Sequence, residues 1–289
     1  MAKKGISLHI GLNEVDPNHY AGWSGPLNAC EADANDMAEI SRSEHFGHVE
    51  LLLTADATRS KVLGWITRAA EELAPGDLCL LTYSGHGGQL PDRNDDEPEA
   101  LDETWCLYDG EVVDDELYQA LGSLREGVRA LVLSDSCHSG SVVRAYTALR
   151  AAPGARAALG EEETAATEPA RYRVMPAPIA LRTYQQNRAF YDGIQKAVRP
   201  RATRGQGVQA SVRLISGCQD NQLCLDGAFN GLFTATLLRV WKGGVFAGCY
   251  ADFHREIVKR MPPTQTPNHF FVGQPDPAFD GQRPFAIGQ

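Results

Sequence analysis

Short apolar runs alternate along the first half of the chain with stretches in which apolar residues recur at helical spacing. Ile6–Gly11 reads as a strand, and Asn28–Ser41 places Ala29, Ala32, Met37 and Ile40 on one helical face. Val49–Leu53 reads as a second strand, and Arg59–Leu73 as an amphipathic helix with Val62, Leu63, Ile66, Ala69, Ala70 and Leu73 on one stripe. Leu78–Tyr83 and Val128–Leu133 follow as strands, with a short helix over Asp114–Leu124 between them. Runs such as Cys79-Leu80-Leu81 and Ala130-Leu131-Val132-Leu133 are apolar without alternation, which predicts strands covered on both faces. The expected class is therefore α/β, a mostly parallel sheet sandwiched by helices.

After Gly140 the periodicity stops, and an Ala-, Arg- and Pro-rich stretch runs to about Gln209. A stretch that long without pattern is expected to be a functional loop or flexible. Pattern returns with a strand over Ser211–Ser216, helices over Gly231–Trp241 and Tyr250–Met261, and a last strand over His269–Val272. The expected organisation is one domain in three parts: 1–143, a basic insert over 144–209, and 210–289.

The 289 residues, 43% of them hydrophobic, suffice for one large core. No apolar run approaches the roughly 20 residues needed to cross a bilayer, and the first residues show no signal-peptide core. The expectation is a soluble, cytoplasmic protein without a membrane partner. Seven cysteines without CxxC spacing fit reduced thiols better than a disulfide framework or a zinc site. A net charge of −10 argues against nucleic acid as a partner. The charge is uneven: between Arg144 and Arg204, eleven basic side chains stand against five acidic ones, so the rest of the chain is more acidic than the total.

Two segments carry candidate chemistry: Thr82-Tyr83-Ser84-Gly85-His86-Gly87-Gly88-Gln89 and Leu133-Ser134-Asp135-Ser136-Cys137-His138-Ser139-Gly140. Each follows a buried strand, and loops at the carboxyl ends of parallel strands are where α/β folds build active sites. A thiol at Cys137 and an imidazole at His86 could meet there as nucleophile and base. Inert packing is the ordinary role of a lone Cys or His, but polar Gly/Ser turns directly after buried strands favour chemistry. His138 is a rival base, though a residue adjacent to the nucleophile usually points elsewhere.

These segments, with Ile215-Ser216-Gly217-Cys218-Gln219-Asp220-Asn221-Gln222 and Gln265-Thr266-Pro267-Asn268-His269-Phe270-Phe271-Val272-Gly273, resemble the caspase/metacaspase group of cysteine peptidases, in particular prokaryotic metacaspase-like (orthocaspase) members. The resemblance implies a caspase-haemoglobinase fold with a six-stranded, mostly parallel sheet. It implies attack by Cys137, proton transfer by His86, and an oxyanion held by the N–H groups of Gly87 and Cys137. It also places Cys30, Asp33 and Ser84 in the pocket for the substrate side chain. The QAC-[RQG]-G pattern of true caspases is absent, which speaks against aspartate specificity.

Asp135 lies two residues before Cys137, and on a strand such residues face the same way. A carboxylate beside the nucleophile would select Arg or Lys. Asp220 is a weaker third acid, more simply a turn residue. A basic insert beside an acidic cleft suggests that the enzyme, or an upstream activating protease, cleaves after an arginine between Arg144 and Arg204, as in a zymogen. Protein substrates with a basic residue before the cut bond are the expected partners. Family members act in regulated cell death and bacterial defence, and the resemblance extends to those settings only as analogy. No cofactor is required for this chemistry. Metacaspases are commonly Ca²⁺-activated, and Asp102, Asp114 and Asp115 match family ligand positions, although Arg144 stands where a further acidic ligand is expected. Two competing readings are a catalytically inactive, caspase-like regulatory binding module and another thiol enzyme such as an acyltransferase.

Overall fold

The computed structural model describes residues 3–91, 101–137, 171–198, 207–219 and 222–288. The chain begins with β1 (Gly5–Gly11), α1 (Cys30–Ser43), β2 (His48–Leu53), α2 (Arg59–Glu72) and β3 (Leu78–Ser84). Three short strands follow, β4 (Gly87–Pro91), β5 (Leu101–Leu107) and β6 (Gly110–Val113), then α3 (Asp114–Leu121) and β7 (Arg129–Asp135). Next come β8 (Arg171–Tyr172), α4 (Ala177–Gln186) and α5 (Arg188–Ala197). The last part contains β9 (Ser211–Ser216), β10 (Leu225–Asp226), α6 (Leu232–Trp241), α7 (Tyr250–Val258), β11 (Asn268–Gly273) and α8 (Pro277–Gly281).

Six strands form the central sheet in the order β11-β9-β7-β3-β1-β2, all parallel except the edge pair of β9 and β11. The two-residue period of a strand sends alternate side chains to opposite faces. Cys79, Leu81 and Val132 therefore pack on one side with Val62, Trp65 and Ile66 of α2. Leu78, Leu80, Leu131 and Leu133 pack on the other with Met37 of α1, Phe233 and Leu237 of α6 and Phe253 of α7. Both faces are buried, which is why these runs carry no polar alternation. β4, β5 and β6 form a second, antiparallel sheet that the hydrophobic pattern does not announce, because its strands are short and polar in part.

The insert departs from the expectation of an irregular loop. Its residues 171–198 form β8, α4 and α5, while 144–170 and 199–206 lie outside the described residues. Each helix has ten residues, and Asn187 closes α4 and opens α5, so neither stripe is long enough to stand out as a period. Tyr184 and Tyr191 nevertheless bury their rings with Leu90 and Val113 of the small sheet.

β1 also carries a buried imidazole. His9 Nδ1 pairs with Thr82 Oγ1 and Nε2 with Ser41 Oγ, each at 2.9 Å. Burial, then the nearby charge of Arg42, pushes its pKa from 6.5 down to about 3. The unfolded chain therefore binds a proton between those values that the native state refuses, so stability is complete above about pH 6.5 and drains as pH falls toward 3. Urea midpoints should fall between pH 7 and pH 5 for the wild type and fall less for His9→Gln. Equal slopes would assign the acid sensitivity elsewhere.

Candidate active site

β3 and β7 lie side by side in a register that pairs Ser84 with Asp135, so both strands end at one level and their loops open onto one crevice. His86 leaves β3 in that loop and Cys137 leaves β7. His86 Nε2 lies 2.8 Å from the carbonyl oxygen of Gly25. A carbonyl can only accept, so Nε2 carries the proton and Nδ1 keeps its lone pair, buried and without a hydrogen-bond partner. Burial, only partly offset by that hydrogen bond and by Cys137, lowers the imidazole to about 4 and keeps it neutral near pH 7. The Trp23 ring packs 4.7 Å away, centre to centre, and fixes the ring plane.

Cys137 is wholly buried, and its Sγ accepts the main-chain N–H of Cys224 at 2.5 Å. No hydrogen bond joins it to His86 Nδ1. The insert reaches the same crevice: the main-chain N–H groups of Gly87 and Cys137 both donate to the carbonyl oxygen of Arg173, at 3.0 Å each. The Arg173 N–H donates to the Cys224 carbonyl, and β8 pairs antiparallel with β10 immediately before it. A short extended segment thus crosses the crevice with one carbonyl held by two converging amides. Gly87 can hold no side chain there, because a Cβ would fall 1.8 Å from the Cys137 carbonyl oxygen.

The Arg173 side chain explains where the predicted acids go. Its guanidinium, fully buried, meets Asp33 at 2.7 Å, Asp135 at 2.8 Å and Asp226 at 3.1 Å. It also donates to Ser84 Oγ at 2.8 Å, and Ser84 in turn donates to Asp33. Cys30 lies against Ser84, its thiol raised to about 12, chiefly by burial. Asp33, Ser84, Asp135 and Cys30 therefore lie together around this guanidinium. Asp220 lies outside the described residues, and the third carboxylate is that of Asp226, which the sequence reading missed. Nothing local marks Asp226; β10 brings it in, and the N–H groups of Asn28 and Ala29 donate to it. Arg173 itself was hidden among the insert's many arginines, with only the charge contrast as a signal.

Three acids around one cation leave an excess of negative charge in a dry pocket. Burial is the first cause that lifts Asp135 to about 6; Arg173 opposes it, Asp33 adds to it, and Thr234 on α6 lowers it by donating to the carboxylate. Asp33 is steadied by N–H donation from Gly231 at the start of the same helix.

A family model for the caspase domain matches residues 15–279. The chain belongs to the caspase-domain family. It is 54% identical to protein GSU0716 from Geobacter sulfurreducens, whose crystal structure superposes with a TM-score of 0.87 over 99% of this chain and 100% of that one. Metacaspase-1A of Aspergillus clavatus is 34% identical over 152 residues, 47% of this chain and 34% of the relative. Metacaspase-1 of Emericella nidulans is 33% identical over 152 residues, 47% of this chain and 36% of the relative. The caspase-domain chain spans about a third of the length of these curated relatives. The family is one of cysteine peptidases, and the sheet just described is that of the caspase-haemoglobinase fold.

This caspase domain also holds a second, acidic cluster. Asp102 on β5 and Asp114 and Asp115 at the start of α3 bring one carboxylate oxygen each within 4.8 Å of one another. An all-oxygen, all-anionic donor set suits a hard cation such as Ca²⁺. Gln195 on α5 donates to Asp102 at 2.7 Å. Among the described residues no helix is long and apolar enough to cross a membrane.

Proposed function

We propose that this caspase-domain protein is a cysteine endopeptidase that cuts after Arg or Lys, with Cys137 as nucleophile and His86 as base, and that cleavage after Arg173 regulates it. The observation that carries the reading is the posture of Arg173: its side chain fills an acidic pocket while its carbonyl oxygen sits between two main-chain N–H groups. That is how a substrate would bind. The polarised carbonyl carbon is the electrophile, and Gly87 and Cys137 N–H would hold the oxyanion as the thiolate adds. His86, with Nδ1 unprotonated, takes the thiol proton and returns it to the leaving amine of Val174.

In this reading Asp33, Asp135, Asp226 and Ser84 select a basic side chain, and the uncut chain occupies its own pocket as a zymogen would. Cutting by the chain itself or by an upstream activating protease would let the plug leave. Other protein substrates would then enter with a basic residue in the place of Arg173. The test is hydrolysis of a fluorogenic peptide ending in arginine. Wild type should turn over, while Cys137→Ala and His86→Ala should lose about two orders of magnitude or more. Equal turnover in all three, or none in any, would reject the peptidase reading in favour of a binding module.

Ca²⁺, where it acts, would be held by Asp102, Asp114 and Asp115, whose charge it would neutralise, bracing β5 against α3. Wild-type protein should melt higher with added Ca²⁺, and Asp102→Asn/Asp115→Asn should lose that shift. A melting curve indifferent to the ion would remove it from the account.

A further inference from the structure

Behind Cys137 lie two thiols that the proposed hydrolysis does not use. One sulfur each from Cys137, Cys218 and Cys224 falls within 4.8 Å of the other two, and all three residues are buried. The Cys218 and Cys224 sulfurs are 2.7 Å apart. Both thiols donate to the carbonyl of Ser136, the residue before Cys137, at 3.6 and 3.3 Å. Cys224 also presses its own N–H against the Cys137 sulfur. The cluster is therefore a triangle in which Cys137 touches both other thiols, with the shortest contact to it coming from Cys224. Cys218 leaves the end of β9 and Cys224 precedes β10, so the C-terminal part of the chain supplies both thiols to a cysteine at the end of β7. Hydrogen bonding with Cys137 is the first cause that raises Cys218, and burial the first for Cys224, so both wait as protonated thiols.

We propose that these three residues form a thiol relay that rescues Cys137 from oxidation by hydroperoxides. The proposal rests on Cys137 being the reactive thiolate. The Cys137 thiolate attacks the peroxide O–O bond, giving the sulfenic acid Cys137–SOH and, after protonation of the leaving oxygen, an alcohol or water. Cys224–SH attacks that sulfenic sulfur, forming the Cys137–Cys224 disulfide and releasing water. Cys218 then attacks the Cys224 sulfur, its proton passing to the departing Cys137 sulfur. The net reaction reduces one hydroperoxide by two electrons and oxidises the Cys218/Cys224 dithiol to a disulfide. A thiol in contact is what diverts a sulfenic acid from the irreversible sulfinic state.

The test treats the full chain with one equivalent of hydrogen peroxide and maps thiols, disulfides and sulfinic acid by peptide mass spectrometry. Wild type should show the Cys218–Cys224 disulfide with Cys137 as free thiol. Cys218→Ser should stop at Cys137–Cys224, Cys224→Ser at Cys137–Cys218, and the double variant Cys218→Ser/Cys224→Ser should convert Cys137 to sulfinic acid several-fold faster than wild type. Cys137→Ser should form the Cys218–Cys224 disulfide several-fold more slowly, since the entry thiol is gone. Sulfinic acid at Cys137 in wild type at the rate of the double variant would overturn the relay and leave Cys218 and Cys224 as packing. So would undiminished Cys218–Cys224 oxidation in Cys137→Ser. The mapping needs no peptidase activity, so an inert Arg peptide alongside a working relay would fault the peptidase reading alone.

Discussion

Incubated alone, the wild-type chain is expected to be cut between Arg173 and Val174, giving two fragments that intact-mass measurement resolves, while Cys137→Ala stays whole. The cut should be first order and independent of protein concentration, because the segment already lies across its own crevice with the carbonyl of Arg173 between Gly87 and Cys137. No encounter is required. Arg173→Lys should be cut more slowly, since an ammonium replaces the forked guanidinium but keeps the charge. Arg173→Ala should not be cut there. It also strands Asp33, Asp135 and Asp226 without a cation, a loss of about 3–5 kcal/mol for a broken buried ion pair unless water floods the pocket. Fragments ending elsewhere, or the same fragments from Cys137→Ala purified without protease, would place the cut outside this mechanism.

The second large effect concerns the pocket. Asp135→Asn keeps the shape of the side chain and its contact with Thr234 but removes the charge that meets the guanidinium at 2.8 Å. Losing one partner of a buried ion pair costs about 3–5 kcal/mol, so kcat/KM on an arginine peptide should fall by roughly two to four orders of magnitude. Alkylation of Cys137 by iodoacetamide, which needs no guanidinium, should change far less. Asp226→Asn should lose less than Asp135→Asn, because its oxygen lies farther from the guanidinium, at 3.1 Å, and is shared with the N–H groups of Asn28 and Ala29. Unchanged kcat/KM in both variants would mean that this pocket does not select the substrate.

The central sheet was legible because buried parallel strands leave uninterrupted apolar runs, and β3 and β7 were bounded by polar turns that set His86 and Cys137 apart from packing residues. Cys30, Asp33 and Ser84 were legible through the family resemblance, and Asp135 through strand alternation beside Cys137. The small sheet of β4, β5 and β6 and the helices α4 and α5 were not, because elements of four to ten residues carry too few apolar positions to establish a period. Asp226 and Arg173 stayed hidden for another reason. Their role depends on β8 and β10 pairing across more than 50 residues of chain, and no local pattern encodes a partner that distant. The charge contrast between insert and body pointed to self-recognition, while the identity of the residue that enters the pocket needed the fold.

One measurement bears most directly on the central claim: cleavage rates for matched peptides that differ only in the residue before the cut, Arg, Lys, Asp or Ala, with wild type and Cys137→Ala side by side. The geometry predicts that wild type cuts the Arg peptide fastest and the Lys peptide next, leaves Asp and Ala essentially intact, and that Cys137→Ala cuts none. Preference for Asp, equal rates across the four, or turnover that survives loss of the Cys137 sulfur would contradict it.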